Sequence, residues 1–176
     1  MKKLTLATIW LDGCSGCHMS FVDVDERILQ VAEKYDIIFS PLVDVKEFPE
    51  KVDVTLLEGA ISTDEDVEMV KKIRKSTKTL IAFGDCAVTS NVPSMRNHYD
   101  LKDVFKRGYL ETSTDNDVIP DEMLPKLLDK AYPVHHFVDV DVFLQGCPPS
   151  ADTIFYALVE IAEGRTPELS KRARFG

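Results

Sequence analysis

Cys14, Cys17, Cys86 and Cys147 are the whole thiol inventory of the chain. Each stands where an apolar run ends. Cys14 and Cys17 follow Leu4-Thr-Leu-Ala-Thr-Ile-Trp-Leu11, Cys86 follows Leu80-Ile-Ala-Phe83, and Cys147 follows Val140-Asp-Val-Phe-Leu144. Thiolates ligate soft metals and iron–sulfur clusters, and they exchange disulfides. If the apolar runs are strands of one parallel sheet, their ends meet at a single edge, where open α/β sheets bind their ligands. Gly13, Gly16, Gly84 and Gly146 stand beside the cysteines. Glycine lets backbone approach a bound group closely. Turns running into helix N-termini present the N–H donors that a negatively charged four-thiolate centre needs.

The segment Cys14-Ser-Gly-Cys17-His18 fits several chemistries. C-x-x-C-H is the attachment pattern of a c-type haem, but an exported chain and an axial-ligand context are not evident. C-x-x-C opening a helix after a first strand also suits a thioredoxin-type redox pair, which leaves Cys86 and Cys147 unused. Zinc accepts four thiolates, yet structural zinc sites usually draw ligands as two close pairs, and Cys86 and Cys147 are distant singles. Four buried structural cysteines are the plainest alternative. Convergence at strand ends, in glycine company, weighs against it. An iron–sulfur cubane is larger than one ion and tolerates ligands gathered from separate loops.

The elements that must position these thiols are legible in outline. Lys3–Trp10, Asp36–Val43, Val52–Leu57, Thr79–Phe83 and Val140–Leu144 read as strands, the second demoted to an edge by Pro41. Helices are expected over His18–Tyr35, from Ser62 with Glu65 completing a capping box, and from Ser150 onward. Nearly continuous apolar strands alternating with helices predict a parallel sheet covered on both faces, an α/β sandwich of three layers. At 176 residues the chain is read as one domain, residues 1–176. Residues 88–130 form a long excursion with helical pieces at 101–106 and 121–128, and residues 164–176 form a tail. Long irregular segments tend to meet a partner.

A hydrophobic fraction of 44% excludes wholesale disorder. The net charge of -9 excludes a nucleic-acid partner, because no basic stripe is available for phosphates. No stretch approaches the ~20 apolar residues of a membrane span. The N-terminal Met1-Lys-Lys and its apolar run are cut short by Asp12 and Gly13, so no signal peptide is expected and the chain is read as cytoplasmic. In a reducing compartment, cysteines serve as ligands or redox groups more often than as a disulfide framework.

At its cysteines the chain resembles the small subunits of nickel–iron hydrogenases. The resemblance rests on the ordered set of Cys14-x-x-Cys17 after the first strand, Cys86 in Gly84-Asp-Cys-Ala87, and Cys147 in Gly146-Cys-Pro-Pro149. It runs from about residue 4 to 162. Leu11-Asp-Gly-Cys-Ser-Gly-Cys-His-Met-Ser20 and Val88-Thr-Ser-Asn-Val-Pro-Ser-Met-Arg-Asn97 look most like the soluble, NAD-reducing branch. The resemblance implies a flavodoxin-like fold and one 4Fe-4S cluster held by the four cysteines. It implies a large subunit carrying the Ni-Fe centre, and diaphorase subunits carrying further clusters, flavin and NAD. The chain itself would then hold no Ni-Fe site and act as the electron-transfer part of a hydrogen:NAD+ oxidoreductase. Longer relatives carry further cysteines; this sequence has thiols for one cluster. The related quinone-site subunit of respiratory complex I has adjacent cysteines at the first position, so the Cys14-x-x-Cys17 spacing points to the hydrogenase side.

Gly13, Gly16, His18, Glu58, Gly84 and Gly146 are the residues expected around the cluster, with His18 a potential donor to a cluster sulfur. Asp12 and Asp85, beside the ligands, are expected to make reduction harder. Two rivals of another class stand beside this reading. One is a flavodoxin-like FMN carrier, with flavin in the region Thr89–Arg96. The other is a zinc-stabilised interaction module.

Overall fold

The computed structural model describes residues 3–115 and 117–175. Met1 and Lys2 of the N-terminal run, Asn116 of the 88–130 excursion and Gly176 of the 164–176 tail lie outside them. Among the described residues there are seven strands, five on the apolar runs and two, β4 and β6, outside them: β1 (Leu4–Trp10), β2 (Tyr35–Phe39), β3 (Val52–Glu58), β4 (Ile61–Thr63), β5 (Thr77–Phe83), β6 (Leu127–Tyr132) and β7 (Val142–Leu144). The α-helices are α1 (Gly16–Val22), α2 (Ile28–Lys34), α3 (Asp64–Ser76), α4 (Asp85–Thr89), α5 (Leu101–Phe105) and α6 (Ala151–Ala162).

Five strands form one all-parallel sheet in the order β2-β1-β3-β5-β7. Counting only these strands, this is the 2-1-3-4-5 order of flavodoxin-like folds, whose switch point lies between β1 and β3. Side chains alternate between the faces because the strand period is two. Along β5, Leu80 and Ala82 face one layer, while Ile81 and Phe83 face the other. The first layer is closed by Val70 and Ile73 of α3 with Ala87 and Val88 of α4. The second is closed by Phe21 of α1, Val31 of α2, and Ile154 and Leu158 of α6. The expected three-layer α/β architecture is therefore present. Pro41 lies past the end of β2, and β2 is an edge strand as expected.

Three local readings need correction. The helix expected over His18–Tyr35 is broken into α1, a 3-10 turn at Asp25–Arg27, and α2, and Tyr35 belongs to β2. Asp25 sits at φ 53, a conformation that Asp tolerates better than most residues. Val24, at the break, is fully buried. The capping box of α3 is Thr63 with Asp66, not Ser62 with Glu65: Asp66 N donates to Thr63 Oγ1 at 3.1 Å, and Thr63 N donates to Asp66 Oδ2 at 2.9 Å. Ser62 stays extended in β4, and its hydroxyl donates to the Asp12 carboxylate.

The helix expected over 121–128 is absent. Pro120 and Pro125 withhold helical N–H donors and bias their preceding residues to extended backbone. The chain instead enters β6, antiparallel to β4. Asp64 N donates to Lys126 O at 3.0 Å, and Lys126 N donates to Asp64 Oδ1 at 2.9 Å. The helix expected over 101–106 exists as α5, continued by a π-helical turn at Lys106–Glu111.

Asn97 pairs with β6 as a strand would. Its Nδ2 donates to Ala131 O, and its Oδ1 accepts from Ala131 N, both at 2.8 Å. This pins the 3-10 turn at Val92–His98, within the excursion, to the small sheet. Asn97→Ala leaves the buried Ala131 peptide unpaired on that side, an expected loss of about 1–3 kcal/mol. Urea unfolding of the variant checks the value. Residues 164–175 fold back onto α6, with Arg172 stacked 4.1 Å from the Tyr156 ring centroid and Ala173 buried.

Candidate functional site

Parallel pairing places the carboxyl ends of β1, β3, β5 and β7 at one edge, and all four cysteines lie there. Cys14 is in the loop after β1, Cys17 in the first turn of α1, Cys86 in α4 directly after β5, and Cys147 in the loop after β7. None is in a disulfide; Cys14 and Cys147 are exposed, Cys86 is half-buried and Cys17 is buried. Burial pushes the Cys17 thiol strongly up. The nearby Glu58 carboxylate, then Cys86, Cys14 and Cys147, push it further. Cys86 is pushed up to about 11, chiefly by burial, and Cys147, Cys14 and Glu58 add to the rise.

The closest approach concerns Gly84. Its φ is +84°, and a Cβ added there would stand 2.1 Å from Cys17 Sγ. No side chain fits, so the turn before Cys86 and the turn carrying Cys17 share one small volume. Backbone donors also reach the sulfurs. Gly16 N lies 3.4 Å from Cys14 Sγ, and the Val92 amide hydrogen-bonds to the Cys86 sulfur. A Cβ on Gly16 would come within 3.2 Å of Cys14 Sγ.

Glu58 ties the first loop to the centre of the sheet. It continues the face of Val54 and Leu56, under α1, and is 1% exposed. Its carboxylate accepts from His18 N at 3.0 Å, from Cys17 N at 3.4 Å, and from His18 Nδ1. Nδ1 therefore carries a hydrogen, and His18 Nε2 is left buried without a hydrogen-bond partner. The His18 ring meets Phe83 edge-on, with centroids 6.1 Å apart. Gly13 passes close to the strand end beside it: a Cβ there would stand 3.3 Å from Gly59 Cα and 3.8 Å from Glu58 Oε1.

Asp12 and Asp85, read from the sequence as bare charges, both have local partners. Asp12 accepts from Ser62. Asp85 is buried and accepts from Gly146 N at 2.6 Å. Ser20 carried no local signal: its hydroxyl donates to Pro149 O at 2.6 Å, across 129 residues, and fastens α1 to the Cys147 loop. The remaining histidines stand apart from the cysteines. His136 stacks on Tyr132 and His135 meets Phe143 edge-on. His98 lines an open cavity of about 960 Å³ beside Met95, Arg96 and Tyr99, to which no cysteine contributes.

Among the described residues, no three His, Cys, Asp or Glu side chains come close enough to hold a single metal ion. A 4Fe-4S cluster is wider than one ion, and the donor set suits it: four thiols, peptide N–H groups on two sulfurs, and an unpartnered buried ring nitrogen, His18 Nε2, on the helix that carries Cys17.

The model of the family described as NADH ubiquinone oxidoreductase, 20 Kd subunit, matches residues 14–161, from the first cysteine into the last turn of α6. The chain belongs to this family. It is 39% identical over 172 residues to the NAD-reducing hydrogenase HoxS subunit delta of Cupriavidus necator, covering 95% of this chain and 82% of that protein. It is 40% identical over 173 residues to a subunit of the F420-non-reducing hydrogenase of Methanococcus voltae, covering 97% of this chain but 60% of that one. A chain in the crystal structure of an NAD+-reducing NiFe hydrogenase in the H2-reduced state superposes with a TM-score of 0.94 at 35% identity, over 99% of this chain and all of that one. Within the 20 Kd subunit family, the expected likeness to nickel–iron hydrogenase small subunits is borne out. No helix among the described residues is long and apolar enough to cross a membrane.

Proposed function

We propose that Cys14, Cys17, Cys86 and Cys147 hold one 4Fe-4S cluster, and that the chain relays electrons as the small subunit of a cytoplasmic NAD-reducing nickel–iron hydrogenase. The observation that carries this reading is the gathering of the four thiols at one sheet edge, with the Cys17 sulfur packed against the Gly84 turn that leads to Cys86. The cluster supplies a one-electron carrier; the protein positions it, shields it and tunes it. The N–H groups of Gly16 and Val92 favour negative charge on the sulfurs. Glu58 and Asp85 hold the loops that carry the ligands.

On this reading the Ni-Fe centre belongs to a large subunit, and NAD, flavin and further clusters belong to diaphorase subunits. Cys14 and Cys147 are exposed, Cys14 has exposed apolar neighbours in sequence at Trp10 and Met19, and Val92 and Met95 of the excursion are also open. We assign this edge, with residues 88–130, to the subunit interface. It suits covering by protein, which also keeps the cluster from water and oxygen.

The assembly purified without oxygen decides the matter. This subunit should bring about four iron and about four sulfide to the total, in a brown complex that bleaches on reduction. A colourless chain carrying zinc, or a yellow one carrying flavin and no iron, overturns the proposal. Asp85→Asn should raise the midpoint potential by removing a negative charge beside a ligand. An unchanged redox titration counts against that electrostatic role.

A further inference from the structure

The β5–β7 ladder ends at the pair Phe83–Leu144, just before two of the cysteines. The pairing nevertheless continues by other means. Gly84 N donates to Leu144 O at 2.8 Å, and Asp85 N donates to Gly146 O at 2.9 Å. The Asp85 carboxylate then takes the place of a further strand acceptor, receiving Gly146 N at 2.6 Å. Asp85 and Gly146 thus exchange two hydrogen bonds across 61 residues, one step before Cys86 and one step before Cys147.

We infer that Asp85 is a positioning residue: its side chain clamps the Cys147 loop to the Cys86 helix and sets how those two sulfurs face each other. The inference rests on the four-cysteine reading above. Three features support a clamp rather than an incidental contact. Asp85 is 3% exposed, so its acceptor competes with little water. Gly146 has φ +140°, and a Cβ there would stand 2.6 Å from Pro149, so the loop has a single tight path. The side chain is also the right length: one more methylene, as in Glu, pushes the carboxylate into the space of Gly146. The chemistry required is an acceptor at Oδ1, which Asn also supplies and Ala does not.

The test uses the full chain in its purified assembly, with Asp85→Ala and Asp85→Asn compared to the parent. Three quantities are read: hydrogen exchange of the segment 144–147, iron and sulfide retained by this subunit, and the EPR signal of its reduced cluster. Asp85→Ala should speed exchange at least about tenfold. It should weaken cluster retention by about 10–100-fold, the range for groups that orient metal ligands, and move the EPR signal. Asp85→Asn should stay near the parent in exchange and retention, whatever its effect on potential.

An Asp85→Ala protein with parental exchange overturns the inference. So does one with faster exchange but an unchanged cluster, which reduces the contact to a loop pin. Equal damage from Asn and Ala overturns it too, because charge rather than the acceptor is then responsible. If Asp85→Ala does not accumulate, Asp85→Glu replaces it: faster exchange and a shifted EPR signal are expected, and parental values refute the clamp. A parent chain without iron sinks the four-cysteine reading itself, and the clamp is then judged on exchange alone.

Discussion

Cys86→Ala is expected to strip this subunit of its cluster and to cut hydrogen-driven NAD reduction by the assembly at least about 100-fold, beyond the 10–100-fold typical of residues that merely support ligands. Cys86 follows β5 directly, and its sulfur receives the Val92 amide. Removing the sulfur leaves three thiols for four irons and an N–H donor aimed at nothing. The fold is expected to survive. Cys86 is only half-buried, and the cores flanking it are built from other side chains, such as Phe83 below and Ala87 and Val88 beyond. Iron and sulfide analysis, with far-UV circular dichroism as the control for folding, separates loss of the cluster from loss of the protein. A Cys86→Ala subunit with its full iron content removes Cys86 from the ligand set, and the proposed relay with it.

Glu58→Ala is expected to be the most destabilising single change near the site, by roughly 3–5 kcal/mol. The carboxylate is almost wholly buried and takes two backbone N–H groups and the His18 ring. Its removal strands the Cys17 and His18 amides and Nδ1 in a space that water does not reach, and unmade buried hydrogen bonds carry most of the cost. For a chain of this size that corresponds to a fall in Tm of roughly 10 °C. Glu58→Gln should lose less than half as much. Both His18 contacts fall on Oε2, which the amide oxygen replaces, and only the longer Cys17 contact at 3.4 Å is given up. Thermal unfolding of both variants under anaerobic conditions checks the order. If Gln costs as much as Ala, the negative charge of Glu58, and not its acceptors, holds the loop.

The sheet was largely legible because strand and helix periodicities are local. Leu80-Ile-Ala-Phe83 announces a strand buried on both faces, and the four cysteines mark the ends of such runs. The errors were local too, where two signals of similar strength competed. Ser62 with Glu65 and Thr63 with Asp66 both have capping-box spacing, and the antiparallel pairing of β4, which holds Ser62 extended, chose the second. The apolar stripe through Phe21, Val24, Ile28 and Val31 continues across Asp23 and Asp25, but the backbone does not, because α1 and α2 reach α6 as separate helices.

By itself, then, the sequence determined the layer architecture, the edge at which thiols gather and the identity of the thiols, because each depends on residues within a few positions of one another. The tertiary structure alone decided the loop chemistry. Strand order places β3 between β1 and β5, which brings Glu58 under a helix 40 residues away; Gly146 finds Asp85 across 61 residues and Pro149 finds Ser20 across 129. A hydrogen bond between distant segments leaves no periodic trace in either one, so its existence is settled only when the sheet brings the two loops to the same edge.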